Sequence, residues 1–303
     1  MINQINRRDI PKCVQVIRNS FLTVAEEFGF TEDNAPRFTA FAVNNERLMW
    51  QFEQGRPMFA YYEEGEILGY FSLELKAGGE CELNNLCVLP EHRHKRIGEK
   101  LLAHAFLYAR EHQCRKMFVG IVEENQRLRS WYEVHGFQHV GTEKFDFFPF
   151  TCGYMEKELM TREITDKDYE GLMKLYMQLH GNPYPEKDTE MAELWNRILE
   201  NKDHHIIVAE KDGRIVSSCV CVIVPNLTHG QRPYALIENV ITDEAYRKQG
   251  LATACLNYAK ELAIHENCYK MMLLTGSKDE STLRFYEGAG YNRKDKTAFI
   301  QWL

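Results

Sequence analysis

The residues best placed to do chemistry form a short run late in the sequence. Val240-Ile241-Thr242 reads as the end of an apolar strand, a loop follows, and a helix begins where Gly250 and Ala252 supply small side chains. Backbone N–H groups at a helix start lack intrahelical acceptors, and the helix dipole strengthens their pull on negative charge. Small residues at 250 and 252 let a diphosphate approach that backbone, while Arg247 and Lys248 add positive charge. Taken alone, the run fits a pyrophosphate cradle and a plain strand-to-helix loop about equally. The nine cysteines are scattered without a CxxC pair. Cys219 and Cys221 alternate as strand residues do, and no second pair completes a zinc set, so buried free thiols are expected. Neither His92 and His94 nor His204 and His205 have the spacing of metal ligands, and no metal is expected.

The elements that must position this run are written twice. Arg93 in PEHRHKRIGEKLL matches Arg247 in DEAYRKQGLATACL (247 − 93 = 154), and Tyr132 in WYEVHGF matches Tyr286 in FYEGAGY (286 − 132 = 154). Cys114-Arg115-Lys116-Met117 and Cys268-Tyr269-Lys270-Met271 keep the same offset, so three segments stay in register without a gap. Each copy opens with a strand-like piece, a polar cap and an apolar-periodic helix. Hairpins follow, turning near Gly65 and near Asp212-Gly213. Next come a fourth strand (81–89; 235–242), a long helix (95–112; 249–266), a fifth strand (116–122; 270–275), a short helix carrying the tyrosine, and closing strands. The boundary falls near 158–161, dividing the chain into domains 1–159 and 160–303.

Bulk composition agrees with an ordinary folded protein: 303 residues, 44% hydrophobic and 27% charged. A formal net charge of −7 argues against nucleic-acid binding. No apolar run is long enough to span a bilayer, and MINQINRRDIPKC lacks the apolar core of a secretory signal, so no membrane association and a cytoplasmic location are expected.

The second copy's Arg247, Gly250 and Ala252 fit R/Q-x-x-G-x-G/A, and both copies carry an aromatic-Tyr-Glu-x-x-Gly-aromatic segment at the matching distance. On these motifs the chain resembles the GNAT superfamily of N-acetyltransferases over essentially its whole length. The resemblance implies two tandem α/β (α+β) domains, each a mixed, mostly antiparallel sheet flanked by helices, with splayed fourth and fifth strands. It implies acetyl-CoA as co-substrate, its pantetheine arm bonded to the backbone of Val240 and Thr242 (Leu86 and Val88 in the first copy). The pyrophosphate would meet the amides of Lys248, Gln249, Gly250, Leu251 and Ala252. The reaction would be direct attack of an amine on the thioester in a ternary complex. Tyr286 and Tyr132 hold the position of the general acid that protonates the leaving thiolate. For the base, strand alternation puts Glu238 on one face with Val240 and Thr242. The first copy has Asn84 there, with Glu82 on the same face as a substitute.

The first copy departs from the motif, reading Arg93-His94-Lys95-Arg96-Ile97-Gly98, with Arg96 where the first glycine belongs. Sterics there favour weaker cofactor binding and electrostatics favour retention. In the second copy Asp279 replaces the Asn125 of the first. The acceptor would be set by 20–41 in one copy, and by 180–187 with 225–234 in the other. Phe21, Phe28 and Phe30 read more naturally as core than as a pocket, and Arg232 as a solvated loop residue more than as an anion partner. The expected acceptor is a small-molecule primary amine, the C-terminal copy is the expected catalytic one, and a monomer or homodimer is expected. The cofactor half is similar to amino-sugar-phosphate acetyltransferases. A protein N-terminal or lysine acetyltransferase and a non-catalytic acyl-CoA-binding or regulatory module remain as alternatives.

Overall fold

The computed structural model describes residues 1–180, 183–185 and 188–302, and of His180 the backbone alone. The chain forms two compact units, Met1–Leu159 and Met160–Leu303.

The first unit runs β1 (Ile2–Gln4), α1 (Ile10–Phe28), α2 (Thr39–Ala42), α3 (Asn45–Glu53), β2 (Met58–Glu63), β3 (Glu66–Lys76), β4 (Glu80–Val88), α4 (Ile97–Glu111), β5 (Lys116–Val122), α5 (Gln126–Val134), β6 (Gln138–Lys144) and β7 (Thr151–Glu158). Its seven strands lie in the order β1-β2-β3-β4-β5-β7-β6, and only β4 and β5 are parallel neighbours. Helical spacing decides which residues face the sheet. Ile10, Cys13, Val14 and Ile17 of α1 form one apolar stripe and pack with Met58, Ala60, Tyr70 and Cys87. Leu101, Leu102, Ala105 and Phe106 of α4 cover the opposite face with Phe71, Leu83, Met117 and Met155. Helix α1 stops at Gly29, which takes φ 70° and donates its N–H to Ala25.

The second unit runs β8 (Thr161–Glu163), α6 (Tyr169–His180), α7 (Thr189–Glu200), β9 (His204–Lys211), β10 (Arg214–Val224), β11 (Tyr234–Thr242), α8 (Leu251–His265), β12 (Met271–Leu273) and α9 (Glu280–Gly288). Its sheet order is β12-β11-β10-β9-β8, with β11 and β12 parallel. Tyr169 and Leu172 of α6 and Trp195 of α7 pack on Ile206, Val208 and Val220.

Both hairpins turn where expected, with Glu64 and Gly65, and Asp212 and Gly213, all at positive φ. The splay is present in both units. Strands β4 and β5 are paired only from Glu80 opposite Lys116 to Leu83 opposite Val119, and β11 and β12 only from Ala235 opposite Met271 to Ile237 opposite Leu273.

Two expectations are corrected in the second unit. The fifth strand is shorter than 270–275, and among the described residues no closing strand follows α9. Just past α9, Arg293 pairs back with Glu280 and Glu287 of that helix at 3.0 Å each. The long helices also start later than 95 and 249, because positive-φ residues at 94 and 96, and at 248 and 250, break helical geometry.

Gly69 and Gly153 of the first unit each have a steric reason, Gly69 because a Cβ would stand 2.9 Å from the Cys87 carbonyl oxygen. A Cβ at Gly153 would fall on the Glu123 carboxylate, which Arg129 and His139 each hold at 2.9 Å. Gly153→Ala is therefore expected to cost about 1–3 kcal/mol in urea unfolding, with Glu123→Ala in the same chain recovering part of the loss.

Candidate active site

In each unit the fourth strand bends before it reaches the loop. Asn85 and Asn239 sit at φ 54° and 50°, and the strand register slips at that point. Asparagine tolerates the left-handed region better than most residues, and the extra residue makes a β-bulge. The bulge reverses alternation. Glu238 lies opposite Val220, whereas Thr242 lies opposite Ser217, one step out of phase. Glu238 therefore does not share a face with Thr242, contrary to the simple period-two reading; it lies on the face that α6 covers through Val220. The signal was in the sequence, since Asn85 and Asn239 stand at the repeat offset (239 − 85 = 154).

Beyond β11, a 3-10 turn at Glu244–Tyr246 is capped by Asp243, whose Oδ1 accepts the Ala245 N–H at 3.0 Å. Lys248 and Gly250 then take φ 63° and 78°, and α8 begins at Leu251 without a side-chain cap. Alternating left-handed residues turn successive amides toward one side, a concavity suited to anions. Among the described residues beyond its chain neighbours, a Cβ at Gly250 would meet nothing within 4 Å, so the space at this glycine is open. The first unit builds the same loop. His94 and Arg96 take φ 61° and 63°, α4 begins at Ile97, and the Arg96 side chain turns away to Glu99 at 2.8 Å. Arginine thus holds the backbone geometry that glycine holds in the second unit. Gly98 of the first unit has room for a methyl group, with Trp131 at 3.6 Å and Val88 at 3.9 Å, and the second unit carries Ala252 there. Gly98→Ala is expected to raise the stability of the first unit by about 0.5–1 kcal/mol, read by chemical denaturation.

The repeat-matched arginines bond to their own surroundings in different ways. Arg93 donates from Nε to the Val88 carbonyl at 3.2 Å, and from Nη2 to the Ser20 carbonyl at 2.9 Å and Thr23 at 3.0 Å. Arg247 donates from Nε to the Thr242 carbonyl at 3.3 Å and pairs with Glu244 at 3.4 Å. Arg93 is thus engaged with the first helix, whereas the Arg247 guanidinium stays largely exposed beside its own loop. Gln249 accepts from Lys211 at 2.6 Å, and Lys95 reaches His92 at 3.5 Å.

The two tyrosines differ in setting. Tyr132 is 3% exposed and packs edge-on against Trp131 and Phe137 in the core, and burial, then Cys87, pushes its phenol well up. Tyr286 is half-buried, and burial raises it first, followed by Cys219 and the Glu238 carboxylate. The Glu238 carboxylate thus contributes, after burial and Cys219, to the upward shift at Tyr286. Glu82 is instead tied to Lys76 at 2.7 Å. Asn125 and Asp279 both act as caps, accepting from Leu128 at 3.0 Å and Ser281 at 2.6 Å.

On the acceptor side of the first unit, Phe30 is buried among Phe38 and Phe150, with Phe21 and Phe28 packed against this cluster, so the aromatics are core. Arg232 closes the end of α8, donating to the carbonyls of Asn267 and Cys268 at 3.0 and 2.8 Å; it is neither a solvated loop residue nor set toward an anionic acceptor. Within 180–187, residues 181, 182, 186 and 187 lie outside the described residues. All nine cysteines are free thiols, and among the described residues no helix is long and apolar enough to cross a membrane.

Two splayed mixed sheets, each with a left-handed loop leading into an uncapped helix, define an acyl-transferase architecture. The chain belongs to the acetyltransferase (GNAT) family, whose model matches residues 23–137 and 169–291. Glucosamine 6-phosphate N-acetyltransferase of Trypanosoma brucei brucei is 36% identical over 84 residues, 28% of this chain and 55% of that protein. The match thus spans about half the length of that relative. An uncharacterized N-acetyltransferase of Escherichia coli is 27% identical over 169 residues, 54% of this chain and 95% of that one. Among solved structures, a Trypanosoma brucei acetyltransferase is 27% identical with a TM-score of 0.42, covering 47% of this chain and 98% of its own.

Proposed function

We propose that the protein transfers the acetyl group of acetyl-CoA to the primary amine of a small molecule, with the C-terminal unit as the catalytic one. The observation that carries this reading is the open, uncapped helix start at Gly250 together with a half-buried Tyr286 at the repeat position of Tyr132. The amides of Lys248 to Ala252 would hold the diphosphate, and the backbone of Val240 and Thr242 the pantetheine. Family membership and the uncapped helix start support acetyl-CoA as the donor.

The amine nitrogen attacks the thioester carbon while both substrates are bound. A C–N bond forms, the C–S bond breaks, and Tyr286 gives its proton to the departing thiolate. Glu238 takes the proton that the ammonium must lose, directly or through water. The N-terminal unit keeps the cradle geometry, but Tyr132 is closed into the core and Asn84 stands in the base position, which supports cofactor binding without turnover there.

The test is thiol release from acetyl-CoA across a panel of amines that includes amino-sugar phosphates, because one relative is named for glucosamine 6-phosphate. Turnover of a small amine supports the reading. Acetylated peptides alone would favour a protein acetyltransferase, and cofactor binding with no acceptor turned over would favour an acyl-CoA-binding module.

A further inference from the structure

Each unit ties its first helix to its cofactor loop, and the two units do so with unrelated side chains. In the first unit the tie comes from the loop: Arg93 reaches Ser20 and Thr23 of α1. In the second, Arg247 stays within its own loop, and the tie comes from the helix. Gln178 of α6 donates from Nε2 to Asp243 at 3.0 Å and accepts the Glu244 N–H through Oε1 at 3.3 Å. The capping aspartates Asp9 and Asp168 put the two helices in register (168 − 9 = 159), which aligns Gln178 with Asn19, the residue before Ser20. The same turn of the same helix is thus fastened to the same loop in both copies.

The loop needs such support. Lys248 holds a left-handed conformation that is costly for a non-glycine residue, and strained backbone persists only where its surroundings over-determine it. We propose that Gln178 is a positioning residue of the C-terminal unit: it holds the Asp243–Gly250 loop in its anion-binding shape before acetyl-CoA arrives. The proposal rests on the reading of that loop as the coenzyme A cradle. Preorganisation of this kind is felt as affinity, because a loop already ordered loses less freedom on binding. It also makes α6, on the acceptor side of the sheet, part of the cofactor site.

The test is a calorimetric titration of the full chain with coenzyme A, alongside thermal melting without ligand, for wild type, Gln178→Ala, Gln178→Glu and the double variant Gln178→Glu/Asp243→Asn. Gln178→Ala and Gln178→Glu are expected to weaken binding at the C-terminal site about five- to tenfold, the scale of one or two hydrogen bonds, with unchanged melting. The double variant is expected to return to within about twofold of wild type, because an asparagine at 243 can donate to a carboxylate at 178 and still accept from Ala245. Gln178→Ala carries no charge, so its effect separates the tie from simple repulsion of the anionic ligand. Wild-type binding with Gln178→Ala unchanged, or a double variant no better than Gln178→Glu, would overturn the proposal. A wild type that binds no coenzyme A would instead remove the cofactor reading itself.

Discussion

Tyr286→Phe is expected to lower kcat by about 10²-fold or more while leaving the acetyl-CoA dissociation constant within about twofold, the pattern of a lost general acid. The phenol is raised from its ordinary value of 10.0 by burial, by Cys219 and by Glu238. An acid with a raised pKa stays protonated below that value, so wild-type kcat is expected to hold its acid form through neutral pH and fall only above pH 10. The variant should be slow at every pH and lack that alkaline limb. Tyr132→Phe, at a phenol closed into the core, is expected to leave kcat unchanged. Steady-state thiol release from pH 6 to beyond 10 checks both; an alkaline limb surviving in Tyr286→Phe would show that another group titrates.

Gly250→Val is expected to weaken coenzyme A binding at the C-terminal unit by about 30-fold or more. A β-branched residue is a severe outlier at φ 78°, costing about 1–2 kcal/mol, and its methyl groups would stand in the open space before the helix amides. Among the described residues, apart from the adjoining ones, no atom lies within 4 Å of the new Cβ, so the loss should appear in binding more than in packing. Calorimetric stoichiometry then decides the status of Arg96. Two sites in wild type falling to one would show that a left-handed arginine keeps a working cradle. One site falling to none would confine the cofactor to the C-terminal unit.

The sequence by itself determined the features that depend on residue type and local spacing. The offset of 154 between Arg93 and Arg247, and between Tyr132 and Tyr286, marks the two copies, and the Gly250 and Ala252 motif places the family. Glu64-Gly65 and Asp212-Gly213 set their turns because so few residues accept positive φ. These signals are legible because each is enforced by backbone sterics or side-chain periodicity within a few residues.

The tertiary structure alone decided what depends on neighbours far along the chain. Bulges at Asn85 and Asn239 move Glu238 off the face of Thr242, because register is set by the partner strand and not by counting in twos. The guanidinium of Arg93 goes to Ser20 and Thr23, and Arg293 pairs with Glu280 and Glu287 of α9, after which no closing strand follows among the described residues. A motif names which side chain is present. Where its hydrogen bonds go is settled by which unsatisfied carbonyl or carboxylate folding brings within about 3 Å, and that information is spread over the whole unit.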